Sequence, residues 1–309
     1  MRATEKRTSL SEASEIARAA ALIRAGELVA FPTETVYGLG GNALDVAAID
    51  KIYAAKGRPP GSPLIVHVSS IEMARSLVRE WPERAEKLAA EFWPGPLTLV
   101  LPKRPNVPDR LTAGLDTVGV RMPANPIAQA LIREAGVPIA APSANRFTEL
   151  SPTTAQHVRD GLGDRVAMVL DGGPSQVGIE STVLSIAGAN GVLLRPGMVT
   201  RQQIEAVIGP VQLVGPVTEG AHASPGLHLR HYSPKTPLIL VERGQLPSSG
   251  RGICLQMPAD AREYAAVLYE RLHAADAQGW EWIAIEQPPR GEEWSAIRDR
   301  LERAAARGS

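Results

Sequence analysis

Cysteine is almost missing from this 309-residue chain, where Cys254 stands alone. One thiol cannot close an internal disulfide, which excludes a disulfide-stapled secreted scaffold and suits a reducing compartment. Cys254 lies in the apolar stretch Gly252–Leu255 and is expected to be a buried small side chain rather than a nucleophile. Net charge is missing too, since 33 Lys and Arg offset 33 Asp and Glu. No global field draws the chain to nucleic acid or membrane, so any anion site has to be a local arrangement of charges. No apolar run reaches the ~18 residues that a membrane helix needs. The charged start Met1–Arg7 leads into an amphipathic helix and not into an apolar signal region. A cytoplasmic protein with no membrane partner is expected.

The standard signatures of nucleotide, metal and hydrolase chemistry are also absent. There is no GxxxxGK[ST] loop, and Gly38-Leu39-Gly40-Gly41 lacks the glycine spacing of a dinucleotide fingerprint. HExxH, CxxC and paired-histidine spacings are missing, which argues against a structural metal. So is the GxSxG elbow of serine hydrolases.

What is present is a chain that is 44% hydrophobic and long enough for two domains. Ser9-x-x-Glu12 reads as a capping box that opens a helix ending at Gly26. Strand-like runs follow at Leu28–Phe31, Pro63–Val68, Leu97–Leu101, Val118–Met122, Pro138–Ala141, Val166–Leu170, Thr182–Ile186 and Val192–Leu194. Helical patterns lie between several of them, including one capped by Asp45 and others at Ile71–Arg79, Arg84–Glu91, Pro126–Ala135 and Thr154–Gly161. This alternation predicts an α/β fold with a mixed sheet over residues 1–208. Residues 209–236 are rich in Gly, Pro, Ser and His without sustained period and read as a long linker. Beyond it, strands at Leu238–Val241, Gly252–Leu255 and Trp282–Ile285 alternate with helices at Ala261–His273 and Trp294–Ala305, which predicts a small α/β unit over 237–309.

The segment Lys56–His67 gathers two fixed cations, a hydroxyl and an imidazole among three prolines and two glycines. Alone it reads as a solvated turn. Other short polar motifs sit where strands or helices end: Pro32–Leu39, Thr117–Arg121, Ala141–Asn145, Ser151–Thr154, Glu180–Thr182 and Arg195–Gly197. Ligand crevices of α/β sheets are usually assembled in this way. Read singly, Thr35 and Thr117 are also ordinary strand-end residues, His67 a satisfied core histidine, and Ser143 and Asn145 turn formers. Arg121 in a Val-rich strand needs a partner.

In these motifs, and in Ser224-Pro225-Gly226 and His231-Tyr232-Ser233-Pro234, the chain resembles the threonylcarbamoyl-AMP synthases. The likeness is to their two-domain form, a YrdC-like domain followed by a C-terminal extension. The resemblance implies a YrdC-like α/β domain with a twisted mixed sheet, a long linker, and a small Rossmann-like C-terminal domain. It implies condensation of L-threonine, bicarbonate and ATP to threonylcarbamoyl-AMP and pyrophosphate. Magnesium is expected with the ATP, a separate transferase complex downstream, and at most a weak tRNA contact. By resemblance the threonine site falls on Thr35, His67, Arg121, Ala141 and Ser181. The ATP site falls on Arg58, Ser62, Thr117, Ser143, Ser151, Arg195 and Tyr232, with Lys56 and Asn145 completing the pocket. The linker is expected to close over it, with Tyr232 touching the nucleotide. No side chain is an evident covalent nucleophile, so orientation and electrostatics would carry the reaction. A carbamoyl-phosphate-using adenylate former on the same scaffold and a non-catalytic RNA-binding module are the alternatives. Two departures stand out, Thr148 where the family usually has glycine and Leu227 where it has methionine.

Overall fold

The computed structural model describes residues 2–59, 61–214, 232–247 and 249–306, with side chains from residue 12 onward. Helix α1 runs over Arg2–Arg24, so Ser9 lies inside it and does not cap it. Good helix formers such as Ala3, Glu5, Lys6 and Arg7 precede Ser9 and carry the helix past that signal. Strands β1 (Val29–Phe31) and β2 (Gly38–Asn42) form an antiparallel pair. The second of these was missed in the sequence because its glycines carry no strand propensity. Helix α2 (Val46–Lys56) begins where the Asp45 side chain accepts from Ala47 N, and ends at Gly57, whose φ of 60° is left-handed.

Strand β3 (Ile65–His67) precedes the short helix α3 (Ile71–Arg75), which stops four residues before its sequence-predicted end. Helix α4 (Glu83–Phe92), strand β4 (Leu97–Pro102), a single helical turn α5 (Asp109–Thr112) and strand β5 (Thr117–Arg121) follow. Then come α6 (Pro126–Ala135), β6 (Ile139–Ala140), α7 (Ala155–Leu162), β7 (Met168–Val169), β8 (Thr182–Ser185), β9 (Gly191–Arg195), α8 (Arg201–Ile208) and β10 (Val211–Leu213). Strand β10 pairs in parallel with β9, so the sheet continues beyond residue 208 into a stretch that shows no strand period.

Among the described residues these strands form one ten-stranded mixed sheet, ordered β10-β9-β8-β4-β5-β3-β6-β2-β1-β7. Side chains alternate across it with period two. Val29 and Phe31 join Ile23, Leu131 and Ile132 under α1 and α6, while Ala30 faces the opposite cluster with Ile49, Ile52 and Leu88. In β5, Val118 and Val120 enter that second cluster. Thr117, Gly119 and Arg121 therefore point to the other face, where Ile65, Val100, Val183 and Leu194 also lie. This face carries the site.

The C-terminal unit has a three-stranded parallel sheet ordered β11 (Leu238–Val241), β13 (Trp282–Glu286), β12 (Gly252–Leu255). Helix α9 (Ala261–Asp276) is capped by Asp260, and α10 (Ser295–Ala305) ends the described chain. Its core is not closed on itself. Val36, Leu150 and Ile179 of the large unit pack into the same cluster as Leu268, Leu272 and Ile297. Cys254 is half-buried rather than buried, because its strand lies at the edge of the small sheet. Burial still pushes its thiol pKa up, which is unlike a nucleophile. Ser224–Gly226, Leu227 and His231 of the linker, and Pro60, lie outside the described residues.

Candidate active site

The turn after β1 folds around Thr33. Its hydroxyl accepts from Thr35 N at 3.1 Å and Val36 N at 3.2 Å and donates to Val36 O at 2.6 Å. This local turn, of the kind Ser and Thr favour, points Thr35 toward β5. There Arg121 Nη1 donates to Thr35 Oγ1 at 2.9 Å, Nη2 lies 2.7 Å from Glu34 Oε1, and Nε donates to Gly95 O at 3.2 Å. The arginine that had to have a partner is thus held on three sides with 4% of its side chain exposed. Beside it on β3, His67 meets Phe31 edge-on with ring centroids 6.1 Å apart. Burial, then the Arg121 charge, push the His67 pKa down to about 3, so its imidazole is neutral at physiological pH.

A second set of groups faces these from β8, β9 and the turn after α2. Arg195 donates through Nε to Ser181 O at 3.1 Å and through Nη2 to Ser181 Oγ at 3.2 Å, while Ser181 Oγ lies 2.8 Å from Thr98 Oγ1. A Cβ on Gly197 would stand 2.3 Å from Thr182 N, so glycine is what lets the Arg195–Gly197 segment lie against Ser181. Arg58 is also buried and donates to Pro63 O at 3.2 Å. Burial lowers its pKa to about 10, with Arg195 contributing in the same direction. Two buried guanidinium groups at one cleft favour an anion there, and Glu180 already acts on Arg195 in that sense.

One cleft collects nine of the fourteen residues assigned by resemblance: Thr35, His67, Arg121, Ala141 and Ser181, with Arg58, Ser143, Arg195 and Tyr232. The other five stand around it. The Lys56 ammonium is used by Ser143 O and Asn145 O, each at 2.6 Å, and Asn145 Oδ1 at 3.3 Å. Burial, aided by Arg58, holds its pKa well below the usual lysine value. Lys56 therefore does not line the cleft; it clamps the loop that carries Ser143. Asn145 braces the same loop through Nδ2 to Arg146 O and Glu149 O. Ser62 is buried in the turn whose carbonyl accepts from Tyr53 Oη at 2.9 Å. Thr117 lies in a small enclosed space with Pro63 and Gly119 that meets the cleft at Ile65. Ser151 is fully buried and donates to Glu180 Oε1 at 2.5 Å.

Residues 21–197 match the family model named "Telomere recombination", that of Sua5, YciO and YrdC proteins. Residues 199–306 match the model named "Threonylcarbamoyl-AMP synthase, C-terminal domain". The chain belongs to the two-domain Sua5 family. It is 53% identical over 231 residues to the threonylcarbamoyl-AMP synthase of Bacillus subtilis, covering 74% of this chain and 67% of the relative. To that of Pyrococcus abyssi it is 51% identical over 228 residues, 72% and 67% of the two chains. The crystal structure of P. abyssi Sua5 complexed with L-threonine superposes with a TM-score of 0.89 at 40% identity, over 95% of this chain and 94% of that one.

For this Sua5 family member, two carboxylates at the site went unassigned in the sequence. Glu34 and Glu180 both sit in polar motifs singled out there, one residue before Thr35 and Ser181 respectively, but no charge partner was visible along the chain. Arg300, which reaches Glu180 from α10 at 2.7 Å, left a clearer signal. It shares the helix stripe of Ala296, Ile297, Leu301 and Ala304, all buried, and an arginine on an apolar stripe needs a carboxylate.

Proposed function

We infer that the cleft makes threonylcarbamoyl-AMP and pyrophosphate from L-threonine, bicarbonate and ATP. The observation that carries this reading is one cleft with two unlike ends: a planar fork beside hydroxyls and a neutral imidazole, and a pair of buried guanidinium groups. Arg121 offers a carboxylate the bidentate geometry that lysine lacks, and Thr35, His67 and Ser181 surround the space where the amine and side-chain hydroxyl of threonine would lie. Arg58 and Arg195 together suit a triphosphate. The rest of the nucleotide would extend past Ile65 toward Gly119 and Thr117, which border the cleft.

In the reaction the amine captures bicarbonate as a carbamate and releases water. A carbamate oxygen then attacks the α-phosphorus, the bond to the β-phosphate oxygen breaks, and pyrophosphate leaves. Positioning and charge neutralisation are what such a displacement asks of the protein. Among the described residues no three His, Cys, Asp or Glu side chains gather to hold a metal. Glu180, the carboxylate that lines the cleft, is ion-paired to Arg300. Magnesium would therefore enter as part of the ATP complex rather than as a resident ion. Tyr232, in the last part of the linker, lines the cleft, where a closing linker would exclude water from a labile product. The product is a mixed anhydride that a downstream transferase complex would consume in tRNA modification. No helix among the described residues is long and apolar enough to cross a membrane.

The test is pyrophosphate release with threonine, bicarbonate and ATP withheld one at a time. All three are expected to be required; release that ignores threonine would favour a carbamoyl-phosphate route and remove this reading.

A further inference from the structure

We propose that Glu180 is a positioning residue for the nucleotide end of the cleft, and that Arg300 of the C-terminal unit sets it in place. This rests on the reading of the cleft as an ATP site. Glu180 lines the cleft with 7% exposure, and its carboxylate is held on both oxygens. Ser151 Oγ donates to Oε1 at 2.5 Å, Arg300 Nε to Oε2 at 2.7 Å, and Tyr269 Oη to Oε2 at 3.2 Å. Arg300 is fully buried, and it makes a second tie across the interface from Nη2 to Pro196 O at 3.1 Å. Pro196 directly follows Arg195. The guanidinium also stands 5.1 Å from the Tyr232 ring. One side chain of the small unit thus touches the carboxylate, the backbone that carries Arg195, and the tyrosine at the cleft wall.

An apolar interface was already available for docking the two units, through Val36, Leu150 and Ile179. A buried ion pair adds little net stability to such a contact compared with apolar groups of the same shape. Its placement at the cleft wall is better explained by what it orders. Burial alone would raise the Glu180 pKa, but the Arg300 and Arg195 charges overcome that and hold it below the usual carboxylate range. The anion balances the cationic wall beside Arg195, while Arg300 stays buried behind the lining, and Arg58 and Arg195 are the cations that meet the nucleotide. The small unit is then part of the active site, acting through Arg300.

The experiment compares full-length Glu180→Gln, Arg300→Met and the double variant. Thermal melting, pyrophosphate release with ATP and threonine varied separately, and calorimetric titration with an α,β-methylene ATP analogue are measured for each. Either single change removes the shortest contact between the two buried groups and is expected to lower the melting temperature, although Arg300 keeps its pair with Asp299 at 2.6 Å and Glu180 its bonds to Ser151 and Tyr269. The double variant is expected to recover most of that loss while its KM for ATP and its analogue Kd stay at least tenfold above wild type. Its KM for threonine is expected to stay within about twofold of wild type, and Arg300→Lys to rescue ATP affinity in part. Wild-type ATP affinity in the double variant, or an equal rise in both KM values, would overturn the proposal. If the wild-type chain shows no threonine-dependent turnover, the functional reading fails instead, and the analogue titration still decides whether the pair orders a nucleotide site.

Discussion

Arg121 is fixed in place by the fold itself, which is what the proposed carboxylate-binding role needs. Thr35, Glu34 and Gly95 hold its three nitrogens, so little rotamer freedom remains to be lost on binding. Arg121→Lys would keep the charge but lose the fork and at least two of these contacts. A charge-assisted hydrogen bond from the fork to the substrate carboxylate would be worth roughly 1.5–3 kcal/mol, so its loss should raise KM for threonine by one to two orders of magnitude. KM for ATP should change little, and steady-state kinetics with each substrate varied would show the split. Thr148 tells the opposite story. Its φ is 70°, a left-handed conformation that glycine adopts freely and a β-branched residue does not. The turn is held because Ser233 N donates to Thr148 O at 2.9 Å, which ties it to the last part of the linker. Thr148→Gly should stabilise the fold by about 0.5–1 kcal/mol, the left-handed penalty less the added freedom of the unfolded chain. Urea unfolding would report this as a higher midpoint at unchanged slope.

At the scale of elements, α9 and the 178–181 segment are fitted to one another. A Cβ on Gly178, where φ is 78°, would stand 2.2 Å from Ala265 O and 2.6 Å from Ala266 Cα. That is backbone against backbone, so neither side can yield without moving α9. Gly178→Ala should cost at least 2 kcal/mol, on the order of an overpacked core plus a strained φ. Because Glu180 lies two residues away, KM for ATP should rise with it. Denaturation and kinetics on the same preparation would test both effects; a variant as stable as wild type would show that α9 does not need this approach. Strands such as β4 and β8 and helices such as α6 and α9 were legible in the sequence, because their apolar period and their caps act locally. β2 and β10 were not. Glycines in one and a Gly/Pro-rich surround in the other hide strands that exist because a neighbouring strand supplies their hydrogen bonds.

Across the whole molecule, two histidines mark the junction of the units. His157 on α7 and His273 on α9 stack with centroids 3.9 Å apart and planes 20° apart, and His273 Nε2 lies 3.1 Å from Ser151 O. Burial and then the His157 charge push the His273 pKa down to about 4, against weaker pulls from the Ser151 carbonyl, Asp276 and Asp160. Burial also lowers His157, with Asp160 and Glu270 opposing. Both bases are therefore less readily protonated folded than unfolded. Between the unfolded value near 6.5 and the folded value near 4 the unfolded chain binds more protons, so stability falls as pH falls through that window. Well above about pH 7.5 the contribution of both histidines to the pH dependence becomes negligible. The loss by pH 4 should reach about 3 kcal/mol from His273 alone. Unfolding midpoints from pH 7.5 to 4 should show it, and His273→Gln should reduce the slope, leaving the contributions of His157 and of buried His67.

The polar motifs at element ends, and the family they point to, could be read along the chain. They are local arrangements of residue types, and local order survives in one dimension. The α/β class and the two-unit division follow from period and composition for the same reason. Contacts over long sequence separations could not be read that way. That Lys56 clamps the Ser143 loop, that Glu34 pairs with Arg121, and that Arg300 reaches back 120 residues to Glu180 were decided only by the tertiary structure. A buried charge is defined by its partner, and burial and partner both exist only once the chain has folded.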